Sequence, residues 1–340
     1  MQRLFPSSPL TLSRNSYRVA AMKRFLPISA CATLMASLFL AHPQQSHAAD
    51  QAQPEKEAAA QEINFVAYNL KNYLKMGRKV GGEYKKDASK PEEEISHLIR
   101  IIKDTEPDIL GVCEIGDDAD VADFSARLKA SGMNFPHKEV VQAADETRRL
   151  ALFSKFPIVT RDPQTDLSYQ IDGKTLRFQR GILDATVQVN SEYKLRLLGL
   201  HLKSKRPVQE ADQSIMRLNE ASLLRAHINE ILEAEPKVNL LAYGDFNETK
   251  NEQPIRVVRG RFGSKNFMKD IWLKDKDGYR WTYNWGYADQ YSRFDFVFTG
   301  PGLYPEVLQE KSRIHSDKHW FTASDHRPLV VRIEAKNREK

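Results

Sequence analysis

The sequence has only two cysteines in 340 residues, Cys31 and Cys113. A scaffold stapled by disulfides is therefore excluded, and so is a cysteine-rich zinc site. No apolar run reaches the ~18 residues that a membrane span requires. No segment repeats at a fixed period. Charge of one sign is nearly absent as an excess, with 51 Lys+Arg against 45 Asp+Glu, a net charge of +6 and a pI near 9.1. Hydrophobic residues make up 41% and charged residues 28%, which excludes wholesale disorder and a collagen-like fibre. The basic balance suggests an anionic partner such as nucleic acid or a membrane surface, provided the charges lie where such a partner would meet them.

One absence is local. Acidic residues are missing from the N-terminus until Asp50. Within that stretch Met22-Lys23-Arg24 precedes a mostly apolar run from Phe25 to Ala41, and Ser46-His47-Ala48 supplies small residues around a cut. A basic start, a short apolar core and a small-residue cleavage site are the layout of a secretory signal peptide over 1–48, with Met22 as the expected start. The apolar run is too short for an anchor and is broken by Pro27. Ile28-Ser29-Ala30-Cys31 has the form of a lipidation site, but the apolar core follows Cys31 instead of preceding it. Residues 49–62 read as a flexible leader, 63–335 as one catalytic domain and 336–340 as a tail. Cleavage after Ala48 removes Arg3, Arg14, Arg18, Lys23 and Arg24 and leaves a charge of about +1. It also leaves Cys113 without a partner. The expected product is exported, periplasmic or extracellular, with no transmembrane span and no stable protein partner implied.

Periodicity places the elements. Residues 64–68 read as a buried strand ending at Asn69, and the Lys/Gly-rich 71–90 as loop. Ser89-Lys90-Pro91-Glu92 has capping-box form, followed by Ile95, Leu98, Ile99 and Ile102 at helical spacing. A strand over 108–113 ends at Glu114, and a helix is expected over 119–130. Strands are expected at 150–153 and 182–189, and at 195–200 ending at His201. Ile215, Leu218, Ala221, Leu224, Ile228 and Ile231 predict a helix over about 210–234 that Pro236 stops. Further strands are expected at 238–243, at 294–298 and at 329–333. Trp281, Tyr283, Trp285 and Tyr287 alternate as on one strand face, which either packs in the core or stacks bases.

Asn69, Glu114, His201 and the Asp245/Asn247 pair each follow an apolar strand. In α/β folds ligands bind in the crevice beyond strand carboxyl ends. Each residue alone is ordinary turn or surface chemistry; four together are a constellation. Asp295 lies inside Phe294-Asp295-Phe296-Val297-Phe298. Buried there without a partner, its carboxylate would cost several kcal/mol. His326, in the Ser324-Asp325-His326 turn, is the natural partner, because a carboxylate behind an imidazole fixes its tautomer and raises its basicity. Hard oxygen ligands suit Mg²⁺ or Mn²⁺. Such a site beside a His–Asp pair suits water attack on a phosphate ester.

Tyr68-Asn69, Val112-Cys113-Glu114, His201-Leu202-Lys203-Ser204-Lys205, Gly244-Asp245-Phe246-Asn247, Arg293-Phe294-Asp295-Phe296-Val297 and Ser324-Asp325-His326-Arg327-Pro328 occur in this order. The set resembles the endonuclease/exonuclease/phosphatase superfamily, which includes deoxyribonucleases, exonuclease III-like enzymes, sphingomyelinases and inositol phosphatases. The resemblance spans about 63–335. It implies an α/β four-layer sandwich of two mixed β-sheets flanked by helices, and metal-dependent hydrolysis of phosphate esters. It further implies Glu114 as principal metal ligand with Asn69 and Asp325 assisting. Asp245 would orient or activate water, Asn247 and His201 would hold the phosphate, and His326 oriented by Asp295 would be the acid/base group. Whether Asp245 or His326 is the formal base stays open. Abasic-site repair enzymes of the group usually carry Asp two residues after the first Asn; here Lys71 stands there, which argues against DNA repair.

For the substrate, Lys203, Lys205 and Arg206 directly follow His201, and Lys155 and Arg180 add charge. Extracellular nucleases of the group often carry a segment like 201–205, so DNA or RNA is the expected substrate. A sphingomyelinase-like or inositol-phosphate phosphoesterase is the alternative, and for the former an exposed apolar hairpin would be expected; the sequence shows no obvious one. A catalytically silent binding subunit on the same fold is an alternative of another class, but it would be expected to lack metal or histidine positions.

Overall fold

The computed structural model describes residues 61–338, all within one unit, Glu57–Lys340. The expected signal peptide, its cleavage site and most of the leader lie outside the described residues. Two six-stranded mixed sheets form the frame. In spatial order the first contains β17 (Arg313–Ile314), β18 (Leu329–Glu334), β1 (Glu62–Tyr73), β4 (Ile109–Ile115), β6 (Arg149–Ser154) and β5 (His137–Val141). The second contains β13 (Lys269–Asp270), β16 (Asp295–Thr299), β12 (Leu240–Asp245), β11 (Lys194–His201), β10 (Leu183–Gln188) and β7 (Ile158–Arg161). Each has one parallel pair, β1 with β4 and β11 with β12, among antiparallel neighbours. Three small hairpins stand apart: β2 (Met76–Val80) with β3 (Glu83–Ala88), β8 (Ser168–Ile171) with β9 (Lys174–Arg177), and β14 (Tyr283–Trp285) with β15 (Gln290–Ser292).

The sheets are faced by helices, α1 (Glu92–Asp104) and α2 (Asp118–Ala130) on the first, α3 (Gln213–Ala234) and α4 (Gln253–Arg259) on the second. A short α5 (Trp320–Ala323) precedes the last long strand. The layering follows from strand alternation. In β1, Ile63, Phe65 and Ala67 join Leu195, Leu197, Tyr243 and Val297 between the sheets, whereas Val66, Tyr68 and Leu70 pack under α1 and α2. In β12, Leu241 and Tyr243 face the intersheet core while Leu240 and Ala242 face α3. Strands buried on both faces read as unbroken apolar runs, as these do. Among the described residues no helix is long and apolar enough to cross a membrane.

Four local expectations need correction. Residues 71–90 are not loop: β1 continues to Tyr73, and β2 and β3 form a hairpin. Gly81 and Gly82, both at positive φ (62° and 89°), make the two-residue turn between Val80 and Glu83. A Gly-Gly pair supplies that left-handed turn without strain, and the surrounding lysines masked it. Ser89 caps nothing. The N-cap of α1 is Pro91 without a side-chain bond, and Glu92, Glu93 and Glu94 face the helix dipole instead. The true capping box belongs to α2, where Asp117 and Asp120 bond reciprocally. In α3, Ile215 points outward, and Met216, Arg217 and Glu220 take the inward positions of its first turns. The aromatic alternation splits: only Tyr283–Trp285 is strand, Trp281 and Tyr283 are half-buried, and Trp285 and Tyr287 are exposed.

Candidate active site

The carboxyl ends of the parallel pairs in both sheets converge. β1 and β4 deliver Asn69 and Glu114, while β11 and β12 end in the paired residues His201 and Asp245. Asp295 opens β16 directly opposite Asp245. Asp325 and His326 come from the turn before β18, where the Ser324 hydroxyl accepts from the His326 N–H and donates to the Asn69 carbonyl.

The expected His–Asp pair is present. His326 Nδ1 lies 2.7 Å from Asp295 Oδ2, with both side chains buried. Thr282 Oγ1 accepts from the backbone N–H groups of Phe294 and Asp295, which anchors the strand start. His326 Nε2 then faces Asp245 Oδ2 at 3.6 Å. Asn69 Nδ2 donates to Asp245 Oδ2 at 3.1 Å and to Glu114 Oε1 at 3.3 Å, and lies 3.4 Å from His326 Nε2. His201 Nε2 stands 3.7 Å from both Glu114 Oε1 and Asp245 Oδ2. The Asn247 N–H donates to Asp245 Oδ1, and its side-chain amide donates to the Leu202 carbonyl.

Backbone strain collects at this place. Lys71, Asn72, Glu114 and Asn247 all have φ between 50° and 62°, where non-glycine residues are uncommon. Each such residue costs on the order of 1 kcal/mol or more and persists where surrounding contacts over-determine it. Here the contacts are visible: the Asn72 N–H donates to Glu114 Oε2 at 2.8 Å, and the Lys71 N–H to Asn69 Oδ1 at 2.9 Å.

Electrostatics divides the two proton-handling groups. Burial pulls the His326 imidazole down, but Asp295 and Asp245 push it further up, so it stays cationic well above the usual histidine range. Burial raises the Asp245 carboxyl to about 7, with cationic His326 opposing and Asp295 adding to the rise. His201 is held neutral by burial and by Arg180. Its Nδ1 is buried without a hydrogen-bond partner.

A cleft of about 500 Å³ opens over these groups and reaches Glu114, His201, Asp245, Asn247, Asp325, His326 and Tyr283. The Tyr283 ring packs against His326 and stacks on Phe294. The opposite wall is cationic, with Arg148, Arg180, Lys203 and Arg206. Lys203 and Arg180 thus fall where the sequence puts them. Lys205 does not: it turns away to Glu248 at 2.5 Å, because the Arg217–Glu248 pair beneath the loop offers it a buried carboxylate. Lys155 pairs with Asp108 at the opposite end of β4 from Glu114, roughly 20 Å of strand away. Asn69 is buried behind the wall.

Two cleft residues escaped sequence reasoning. Asn72 contributes through its backbone N–H and a left-handed φ, and its Oδ1 accepts from Arg148 Nε at 2.9 Å. Arg148 follows no apolar strand, so strand-end logic passes over it. His315 and His319 have an i, i+4 spacing, but no metal-type grouping among the described residues includes them, and His319 stacks on His97. A second acid–histidine grouping, Asp162, Asp184 and His227, is closed by the Arg196 guanidinium, which pairs with both aspartates.

The donor set fits a hard divalent cation. Glu114, Asp245 and Asp325 offer carboxylate oxygens in one cleft.

The family model for the endonuclease/exonuclease/phosphatase family matches residues 67–326. The chain belongs to that family. Its members are hydrolases acting on phosphoester bonds. Among solved structures it is similar to an endonuclease/exonuclease/phosphatase from Bacteroides vulgatus, at 16% identity and a TM-score of 0.58, covering 81% of this chain and 100% of that one. Truncated TDP2 from Caenorhabditis elegans matches at 18% identity and a TM-score of 0.55, covering 81% and 98%. Sphingomyelinase C from Streptomyces griseocarneus matches at 14% identity and a TM-score of 0.53, covering 80% and 99%. No curated protein matches the sequence. The two mixed sheets with helices outside are the fold of these neighbours.

Proposed function

We propose that the protein is an exported, divalent-metal-dependent phosphodiesterase whose substrate is nucleic acid. The buried Asp295–His326 pair, aimed through Nε2 at Asp245 at the head of a cleft with a cationic opposite wall, is the observation that carries this reading. Glu114, with Asn69 and Asp325 nearby, would hold Mg²⁺ or Mn²⁺, which when bound neutralises charge on the phosphoryl oxygens. The chain's own groups divide the rest. His326, kept cationic by its carboxylate neighbours, donates through Nε2 to a phosphoryl oxygen. Asn247 and neutral His201 position that phosphate. Asp245, with a carboxyl near neutrality, takes the proton of the attacking water. The water oxygen bonds to phosphorus, and the ester oxygen leaves with its bonding pair and is protonated by solvent.

Arg148, Arg180, Lys203 and Arg206 supply positive charge for a polyanion. The 1–48 leader supports export; an N-terminus at Ala49 in the mature protein would check it.

One observation favours a second reading, a lipid-headgroup phosphodiesterase. The β14–β15 hairpin exposes Trp285, Tyr287 and Tyr291, a feature the sequence did not reveal. The deciding experiment is hydrolysis by the mature protein of DNA, RNA, sphingomyelin and inositol phosphates with Mg²⁺ or Mn²⁺, and with excess EDTA. We expect cleavage of DNA or RNA, abolished by EDTA. Cleavage of sphingomyelin alone would transfer the assignment to the second reading, and activity undiminished by EDTA would remove the metal.

A further inference from the structure

The β2–β3 hairpin has no role in the site described above, yet it is rooted at its rim. Arg78 Nη2 donates to the carbonyls of Asn72 and Leu74, at 2.5 and 3.2 Å. Asn72 in turn lines the cleft and holds Glu114. From that root five residues of β2 extend roughly 17 Å.

Its composition is unusual for a free hairpin. Lys79, Lys85 and Lys86 are exposed, and none has a hydrogen-bond or ion-pair partner among the described residues. Arg78 and Lys85 stand directly across from one another, a like-charge pair that weakens the hairpin. On the other face Tyr84 sits opposite Lys79 and two residues from Lys86. The ring of Tyr84 lies flat across Gly77, where a Cβ would stand 2.1 Å from its hydroxyl, and the residue is 70% exposed. A ring held open between two unpaired lysines is the combination that stacks a base and neutralises its flanking phosphates. An isolated two-stranded hairpin is marginal by itself, and the Arg78–Lys85 repulsion weakens this one further.

We propose that the β2–β3 hairpin is a strand-binding arm: a single-stranded nucleic acid leaving the cleft past Asn72 lays its phosphates on Lys79 and Lys86 and one base on Tyr84, which share one face of the ribbon. The inference rests on the nucleic-acid reading above and deepens it. An anionic membrane is the less suitable partner, because a docking hairpin carries an apolar tip and this tip is Gly81-Gly82-Glu83.

The test compares wild type with Lys79→Gln/Lys86→Gln on single-stranded oligonucleotides of 4 to 15 nucleotides, over a range of salt. In the wild type kcat/KM climbs about tenfold or more with length. In the double variant the climb is lost, and the slope of log K against log salt falls by about 1.4, at roughly 0.7 per phosphate contact on single strands. A variant that keeps both the climb and the slope overturns the arm and leaves the nuclease assignment standing. Loss of binding to phosphatidylserine vesicles without loss on oligonucleotides assigns the arm to membranes and overturns the proposal. A wild-type enzyme that hydrolyses bis(p-nitrophenyl) phosphate but no oligonucleotide overturns the nucleic-acid reading itself, and the arm with it.

Discussion

A carboxylate inside an apolar strand is costly unless something answers it, and at Asp295 the answer is His326 at 2.7 Å. That pairing was legible from sequence because burial, not motif, demanded it. Asn72 and Arg148 were illegible because their work is done by a backbone N–H in a left-handed conformation and by a guanidinium that precedes a strand instead of following one. The His326–Asp295 pair yields a prediction about sign as well as size. His326→Ala lowers kcat by ~10²-fold or more, since the cationic hydrogen-bond donor to the phosphoryl oxygen is lost. Asp295→Asn removes the largest influence holding the imidazolium charged, so its pKa falls. If the reaction needs the protonated imidazole, activity is lost as pH rises through that pKa, and the alkaline limb of the kcat–pH profile moves to lower pH in Asp295→Asn. An unshifted limb, or a His326→Ala enzyme within about threefold of wild type, would remove His326 from the proton inventory.

Elements were read well where both faces of a strand or one stripe of a helix are apolar, and badly where charge enters the interior. Helix α3 shows why. Its middle and end follow the predicted stripe through Ala221, Leu224, Ile228 and Ile231, but its first turns bury Arg217 and Glu220 instead of Ile215. Arg217 binds Glu248 and the Lys203 carbonyl, and Glu220 accepts from the Lys203 N–H at 2.6 Å. The helix start is thus a polar support under the cationic wall of the cleft, and period alone cannot show that. Glu220 is the strained member: its other oxygen is buried without a partner, and burial raises its carboxyl to about 7. Below its ordinary value near 4.5 the group is protonated in folded and unfolded chains alike. Between about 4.5 and 7 only the folded chain keeps the proton, so stability falls as pH rises through that window and is level above it. The loss is on the order of 3 kcal/mol. Glu220→Gln, which carries no charge to desolvate, flattens this part of the stability–pH curve measured by urea unfolding. A variant whose curve falls as steeply as that of wild type between pH 4.5 and 7 would place the cause elsewhere.

At the scale of the molecule the two sheets pack face to face on one apolar core and meet in one polar seam at their strand ends. The strand-end pattern in the sequence announced that seam, since Asn69, Glu114, His201 and Asp245 lie at the corresponding ends of two parallel pairs. The hairpins at its rim were hidden, because such short ribbons bury too few positions to impose a period, as with Tyr169 and Ile171 in β8. Within the seam Glu114, Asp245, Asp295 and Asp325 gather around cationic His326, with His201 held neutral and the arginines and lysines on the cleft's other wall. A divalent ion held there would draw on Glu114 in β4, Asn69 in β1 and Asp325 in the turn before β18, which only folding brings together. It would therefore bind the folded chain and not the unfolded one, and stabilise it by mass action, by ~2.7 kcal/mol at a hundred times Kd. For a domain of this size that corresponds to a rise in Tm of about 5 °C. Saturating Mn²⁺ or Mg²⁺ should give this rise in a thermal melt without any substrate present, EDTA should reverse it, and Glu114→Gln should abolish most of it. The same rise in Glu114→Gln would mean that the ion binds elsewhere, and no rise in wild type would mean that the seam is not balanced by a metal at all.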